Sequence, residues 1–301
     1  MIRPLQVWAL LFAAAAALEF GVLHLAQGPE HALADAMTRV QARTLVPDRD
    51  IVLIDIDDAS LARLRDEAGS WPWPRAVYAE LIAGLQKQQP RAIVFDILFT
   101  EADRFRPDSD ALFIDAIRGN RNIYFPMLRM APQDDAKGLK LASVAAVLGI
   151  HAGPQADPQA RAMLLPPLAL PESQWRTGVV NFLQDDDGVG RRYHLRMDLQ
   201  GWELPSLPMR LARDLGYTIP DGAALRLHWR GGTTAFRSVS FAELYEDLQR
   251  REPRRLSDEF RDSIVLIGTT ASGLHDLRVT PIDSRYPGLQ ILATAIDNLK
   301  N

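Results

Sequence analysis

Residues 51–58 read IVLIDIDD, a short run of aliphatic and β-branched residues that ends in carboxylates. Continuous apolar runs of this length are typical of strands that are buried on both faces of a parallel sheet. A helical pattern follows over residues 59–67, and either Asp57 or Asp58 is placed to cap it. The stretch therefore predicts a buried strand that turns directly into a helix.

The same alternation of strand and helix continues along the chain. Pro74 opens a helical pattern that runs to Leu85, and AIVFD at 92–96 reads as a second buried strand. Strands are also predicted at 122–127, 224–229 and 264–268, and helices at 108–117, 204–215, 241–248 and 289–299. Residues 178–199 read as two strands around a turn, and residues 131–174 as an irregular surface excursion. The pattern predicts an α/β fold with a mostly parallel central sheet flanked by helices.

The N-terminal side carries one long apolar segment. Between Leu5 and Gln27 the only ionisable residues are Glu19 and His24, and about 20 apolar residues suffice to cross a bilayer as a helix. A cleaved signal peptide is the alternative, but the apolar run continues beyond the small residues at 13–17 where cleavage would occur. The predicted division is a cytoplasmic N-terminus at 1–4, a transmembrane anchor at 5–27, a helical stalk at 28–47 and an extracytoplasmic domain at 48–301.

Composition narrows the classes of partner and of chemistry. The 301 residues carry a formal net charge of -4 with both signs interspersed, so no basic face is available for nucleic acid. The chain has no cysteine, which excludes thiolate nucleophiles and suits an oxidising envelope. In the stalk, Leu33, Met37, Val40 and Leu45 recur at helical spacing, and this face either pairs with a second copy or folds back on its own domain.

Acidic residues end the first two predicted strands. Asp55 and Asp57 are two positions apart, so their side chains point to the same side of the strand, and Asp96 ends the second strand. Because ligands collect beyond the carboxyl ends of parallel strands, these three carboxylates could hold a divalent cation or a cationic ligand. The alternative is structural: they cap the following helices and pair with Arg75 or Arg191.

The string Trp71-Pro72-Trp73-Pro74-Arg75 is the most distinctive in the chain. Two prolines stiffen the backbone and present two indoles and one guanidinium. Such a string serves either as an aromatic binding surface or dimer contact, or as a rigid plug of the core with Arg75 paired internally.

A glycine-bounded loop follows the last predicted strand. Residues 268–273 have the glycine spacing of a phosphate loop, but Leu274 and His275 stand where the Lys and Ser/Thr are needed, so nucleotide hydrolysis is excluded. The loop either holds a small anion on its amides, with Thr269 and Thr270 beside it, or is a plain turn. His275 and Asp276 are neighbours, but no G-x-S-x-G or H-E-x-x-H motif accompanies them, so no nucleophilic or zinc enzyme is indicated.

Taken in order, these strings resemble one known family, the second type of CHASE domain, an extracellular sensory module associated with bacterial cyclases and histidine kinases. The strings that carry the match lie at 52–61, 71–75, 92–99, 178–192, 205–207, 265–278, 280–281 and 287–299. The resemblance implies an input domain in the periplasm or outside the cell, tethered to the inner membrane by a single span. It would relay a cue to a cytoplasmic output such as a cyclase or a kinase, which we expect on a further segment or on another chain.

The expected function is sensing by a homodimer, without catalytic residues or a cofactor. The candidate ligand-binding residues are Asp55, Asp57, Trp71, Trp73, Arg75, Asp96, Thr269, Thr270, His275 and Asp276, and the sequence names neither the ligand nor a metal. Two alternatives stay open at this point. One is a periplasmic metal-dependent hydrolase that uses the three strand-end carboxylates, and the other is a ligand-free dimerisation module.

Overall fold

The computed structural model describes residues 27–232, 234–274 and 276–301, together with positions 4, 6, 8, 12 and 13. Most of the predicted anchor at 5–27 therefore lies outside the described residues. Within the described part of the chain, no helix has the length and apolar character needed to span a bilayer.

The described residues form the following elements. The helices are α1 (Gln27–Ala42), α2 (Asp58–Arg63), α3 (Arg65–Ala68), α4 (Arg75–Lys87), α5 (Pro107–Ile117), α6 (Leu141–Leu148), α7 (Leu207–Leu215), α8 (Phe241–Leu248) and α9 (Gly288–Lys300). The strands are β1 (Ile51–Ile56), β2 (Ala92–Phe95), β3 (Ile123–Arg129), β4 (Leu139–Lys140), β5 (His151–Ala152), β6 (Arg161–Ala162), β7 (Leu164–Leu165), β8 (Thr177–Val179), β9 (Arg192–His194), β10 (Arg196–Leu199), β11 (Trp202–Pro205), β12 (Ala224–Arg226), β13 (Arg237–Ser240), β14 (Ile264–Thr269), β15 (Leu277–Arg278) and β16 (Tyr286–Pro287). Short 3₁₀ helices lie at Pro132–Lys137, Glu172–Gln174 and Ser272–Leu274.

A seven-stranded sheet organises the described residues. Its order is β13-β1-β14-β2-β3-β7, with β8 also paired to β3. All of these pairs are parallel except β3 with β7. The prediction of an α/β fold with a mostly parallel sheet is therefore confirmed.

Helices cover both faces of this sheet. Val52, Ile54 and Ile56 of β1 belong to one buried cluster with apolar residues of α4, α5 and α8. Ile51 and Leu53 belong to a second cluster with α7 and α9. The alternation along β1 explains why the run is apolar at nearly every position, since both faces are covered.

Two predictions for the middle of the chain are wrong. Residues 131–174 are not a surface excursion, because they include α6 and short strands and bury Leu141, Leu148 and Leu164. Residues 178–199 do not form a hairpin, because β8 pairs with β3 in the main sheet while β9 pairs with β12. In both cases pairing between distant segments decides the outcome, and local composition carries no signal for it.

Helix α1 lies within the predicted stalk and packs against the domain along one side. The Arg191 guanidinium donates to both carboxylate oxygens of Asp35 on α1, at 2.8 Å each, and also bonds Asp185 and Asp187. Ala42, two turns further along α1, is buried in the second cluster. Arg39 adds a hydrogen bond from its guanidinium to the Pro281 carbonyl at 2.9 Å.

The Arg191 network predicts a large loss of stability when its cation is removed. In Arg191→Met, the Asp35 carboxylate stays buried without its partner, and breaking a buried pair in this way costs about 3–5 kcal/mol. The side chains of Arg191 and Asp35 are 8% and 12% exposed, so water replaces little of the lost interaction. Urea denaturation measures the loss. The exposed neighbour Arg192 provides the matched control, since Arg192→Met should change the free energy of unfolding by less than about 0.5 kcal/mol; equal losses in the two variants would contradict the assignment.

Candidate functional site

A cleft of about 640 Å³ lies at the carboxyl ends of the parallel strands. We call it the carboxyl-edge cleft and define it by Trp71, Trp73, Arg75, Tyr78, Asp96, Leu98, Phe99, Phe105, Thr269 and Leu274, with the intervening loop residues 101–106. The position follows from the fold, because parallel strands end together and the loops that leave them enclose a crevice. A smaller cavity of about 210 Å³ adjoins it and contacts Thr269, Thr270, Asp276 and Arg285.

The Trp71–Arg75 string forms one wall of the carboxyl-edge cleft. Trp73 is only 3% exposed and packs on Phe241 of α8 with ring centroids 5.0 Å apart. Trp71 is half-buried and meets Trp73 edge-to-face at 5.4 Å. The second indole is therefore part of the core and the first lines the cleft, while a binding role for this wall stays a prediction. The buried Nε1 of Trp73 has no hydrogen-bond partner within the described part of the chain.

Arg75 anchors the lip of the cleft. Its guanidinium pairs with Asp110 on α5 and donates to the Glu101 carbonyl, and the other Asp110 oxygen accepts from the Asp103 amide at 2.8 Å. These contacts fix the loop between β2 and α5. The sequence-based pairing of Arg75 or Arg191 with the strand-end carboxylates is therefore wrong, because each arginine has acidic partners elsewhere.

The acidic end of β1 is tied to its neighbours by hydrogen bonds. Asp55 accepts from the amide and hydroxyl of Thr270, at 2.9 and 2.6 Å, and burial raises its pKa against these bonds. Asp57 accepts from the Ser60 amide at 2.6 Å, which confirms it as the N-cap of α2. Because Asp55 bonds the end of β14 and Asp57 caps α2, the two carboxylates engage different partners. Among the described residues, no group of three or more acidic or histidine side chains is placed to share a metal ion.

Several backbone amides of the loop after β14 donate hydrogen bonds to other groups of the protein. The Thr270 amide donates to Asp55, the Ser272 amide to Asp58 at 3.1 Å, and the Ala271 amide to the Thr269 hydroxyl at 3.1 Å. An anion would need these same donors, so the geometry supports the plain-turn interpretation. Asp55 and Asp58 therefore accept from amides that, in a phosphate loop, would donate to the phosphate.

Asp96 has a different environment from the other strand-end carboxylates. It is half-buried, lines the carboxyl-edge cleft, and borders a small internal cavity of about 30 Å³ beside Tyr193, Asp276 and Arg278. Its carboxyl accepts no hydrogen bond from any residue that the structure describes. Burial, together with the charge of Asp276, raises the pKa of Asp96 to about 7, and Arg278 opposes the shift.

The structure unites many of the predicted site residues. Trp71, Trp73, Arg75, Asp96 and Thr269 all line the carboxyl-edge cleft, and Thr270 and Asp276 line the adjoining cavity. Asp55 and Asp57 lie outside both linings and brace the sheet edge. His275 lies outside the described residues.

A profile of the CHASE2 domain matches residues 8–301 of this chain. The chain belongs to the CHASE2 family. No match was found among curated proteins or among solved structures. CHASE2 domains are extracellular sensory domains, so the family identifies the chain as a sensory domain and supports the resemblance drawn from the sequence.

Sequence reasoning missed part of the cleft of this CHASE2 domain. Phe105 is 96% exposed at the mouth and Leu98 is 42% exposed beside it. The signal was present in ADRFRPD at 102–108, where one aromatic residue stands in a charged loop. An exposed phenyl ring at this position has no role in the core and is available to a ligand.

The raised pKa of Asp96 predicts a specific pH dependence of stability. Between the ordinary value of about 3.8 and the native value of about 7, the native state holds a proton that the unfolded chain has lost. The free energy of unfolding contributed by Asp96 is therefore complete below about pH 4 and is lost as pH rises towards 7. Asp96→Asn does not titrate, so the difference in unfolding free energy, variant minus wild type, should rise from pH 4 to pH 7 and then level off. Urea denaturation over this range measures it, and a flat difference would show an ordinary pKa.

Proposed function

We propose that this CHASE2 domain is the extracytoplasmic input domain of a bacterial transmembrane signalling protein. It binds a small molecule in the carboxyl-edge cleft and relays occupancy across the inner membrane to a cytoplasmic output such as a cyclase or a kinase. Membership of a sensory family supports the class of function. The single structural observation that carries the proposal is the carboxyl-edge cleft, which gives a ligand a defined place to bind at the edge of the sheet.

The carboxyl-edge cleft has the properties of a small-molecule site. Its volume of about 640 Å³ lies within the 300–1,000 Å³ of typical ligand pockets. Its walls combine five aromatic side chains with the charged side chains of Arg75, Asp96 and the loop 101–106. Apolar surface binds the body of a small molecule, and polar groups placed beside it fix the orientation.

A short loop connects the cleft region to helix α1. Asp276 and Arg278 lie beside Asp96, and the carbonyl of the next residue, Val279, accepts from the Gly190 amide at 2.8 Å. Gly190 precedes Arg191, which holds Asp35 of α1, and Arg39 of α1 bonds the Pro281 carbonyl directly. Movement of residues 276–281 would therefore act on α1 at two points.

The relay needs two arrangements of this loop and helix that differ in affinity for the ligand. A ligand that binds both arrangements equally shifts neither population, however tightly it binds. The ligand would therefore bind more tightly to one position of residues 276–281. This segment lies beside Asp96 on one side and contacts α1 on the other.

A thermal-shift screen of the full chain in nanodiscs, against small metabolites and divalent cations, tests the proposal. A specific ligand at about 100 times its dissociation constant should add about 2.7 kcal/mol to the free energy of unfolding. Phe105→Ala should weaken the effect, because the ring is exposed at the mouth and its removal costs the fold little. Leu256→Ala, an exposed apolar residue that does not line the cleft, should leave the effect unchanged.

Two results would count against ligand sensing. If no compound stabilises the protein, the ligand-free dimerisation module becomes the better account. If a compound stabilises wild type and Phe105→Ala equally, the ligand binds elsewhere.

Helix α1 supports homodimerisation as a second activity. Leu33, Met37 and Val40 are 65%, 65% and 66% exposed. They form one stripe at i, i+4 and i+7, on the side of the helix opposite the buried Asp35 and Ala42. An apolar stripe with this spacing suits packing against the same stripe of a second copy.

Single-cysteine cross-linking tests the dimer, since the chain has no cysteine of its own. Met37→Cys, in the centre of the stripe, should form an intermolecular disulfide on mild oxidation in membranes, because the two Cα atoms would lie within about 7 Å. Ala32→Cys is equally on α1 and exposed but lies beside the stripe, and it should cross-link several-fold less. Equal yields at both positions, or none at Met37, would contradict the α1 dimer.

A further inference from the structure

Two of the arginines that line the carboxyl-edge cleft have acidic partners. Arg75 is held by Asp110, and Arg106 is held by Asp103 at 2.8 Å. Neither arginine is free to be the main anchor of an anionic ligand. Two further charged residues line the cleft, Arg104 and Glu101, and both are exposed in the loop 101–106.

Asp96 differs from the exposed Arg104 and Glu101 because it is half-buried. Its carboxyl has no hydrogen-bond donor among the described residues, although it is half-buried at the end of β2. Arg278 lies on the far side around the small internal cavity, and its guanidinium donates to Asp276 at 3.1 Å. A carboxyl that is partly removed from water and lacks a donor binds a cationic hydrogen-bond donor more favourably than any other class of group.

The rest of the cleft selects for an apolar body. Trp71 forms the wall, and Phe105 and Leu98 stand exposed at the mouth. Aromatic faces attract cations as well as apolar groups, especially where water is displaced.

We propose that the cleft binds an organic ammonium ion with an apolar or aromatic body, and that Asp96 is its counter-ion. This inference rests on the proposed function of the cleft and names the chemical class of its ligand. The ammonium group donates to the Asp96 carboxylate, and the body of the ligand lies between Trp71 and Phe105.

Binding of an ammonium ligand to Asp96 should depend on pH. Asp96 is faced by Asp276 and Arg278 from the β15 region and by Tyr193 from β9, while Arg75 and Tyr78 of α4 line the cleft. A proton on Asp96 competes with the ligand, so affinity falls as the pH drops below the pKa of about 7. Between about pH 8 and pH 5.5 the ionised fraction, and with it the affinity, should fall about 30-fold.

Calorimetric titration of the full chain in nanodiscs with three matched probes tests the proposal. Phenethylamine carries the ammonium group, 2-phenylethanol replaces it with a neutral hydroxyl, and phenylacetate replaces it with a carboxylate. At about pH 8, phenethylamine should bind at least tenfold more tightly than either of the others, as a charge-assisted bond to a carboxylate predicts. Asp96→Asn should abolish both this preference and the pH dependence, while Asp58→Asn, at the exposed first residue of α2, should keep both.

Several outcomes would overturn the ammonium proposal. These are equal binding of the alcohol, a preference that survives in Asp96→Asn, and no binding of phenethylamine at about 10 mM, well above the range expected for a charge-assisted site. A pH dependence that disappears in His275→Ala but persists in Asp96→Asn would assign the titration to His275 instead. These results leave the sensing function standing if the metabolite screen finds another ligand whose effect depends on Phe105, so the two failures are distinguishable.

Discussion

The insertion of β14 between β1 and β2 is the constraint on which the rest of the structure depends. The parallel register places Asp55 beside Gly268 and Ile56 beside Thr269, while Ile267 pairs with Phe95 next to Asp96. Segments separated by about two hundred residues thus end at one edge. Gly268 permits the approach, because a Cβ there would lie 2.7 Å from a methyl carbon of Leu289 and 3.0 Å from the Cβ of Asp96. The cleft, the braced loop after β14 and the internal cavity all follow from this one pairing.

Local patterns in the sequence predicted the elements better than their arrangement. The runs at 51–56, 92–95 and 264–269 are apolar because both faces of the sheet are covered, and that signal is local. The order of the strands depends on which distant segments pair. No pattern within β14 indicates that it lies between β1 and β2. The same limit explains β8, whose pairing with β3 overrides the apparent hairpin with the segment after it.

The candidate site shows the same division between chemistry and placement. Asp55, Asp57 and Asp96 are equivalent in the sequence, since each ends a predicted strand. In the structure Thr270 satisfies Asp55 and the Ser60 amide satisfies Asp57, whereas Asp96 has no donor among the described residues. Burial and the charges of Asp276 and Arg278 shift its pKa, and both charged residues belong to the segment after β14. A sequence can supply the carboxylates, but tertiary contacts decide which one is available to a ligand.

The segment after β14 differs from the central sheet in how firmly it is held. The strands that form the floor of the cleft are buried on both faces and packed, so they resist displacement. Residues 276–281 are different, because Leu277, Arg278 and Val279 are exposed while the main chain is held at a few points. Those points are the pairing of β15 with β16, the Thr280 amide, which donates to the Asp283 carbonyl, and the carbonyls of Asp276, Val279 and Pro281, which accept from Gly288, Gly190 and Arg39. An exposed two-stranded ribbon opens at a lower free energy than strands that are buried on both faces. This exposed segment lies between Asp96, the strand-end carboxylate that lines the cleft, and helix α1.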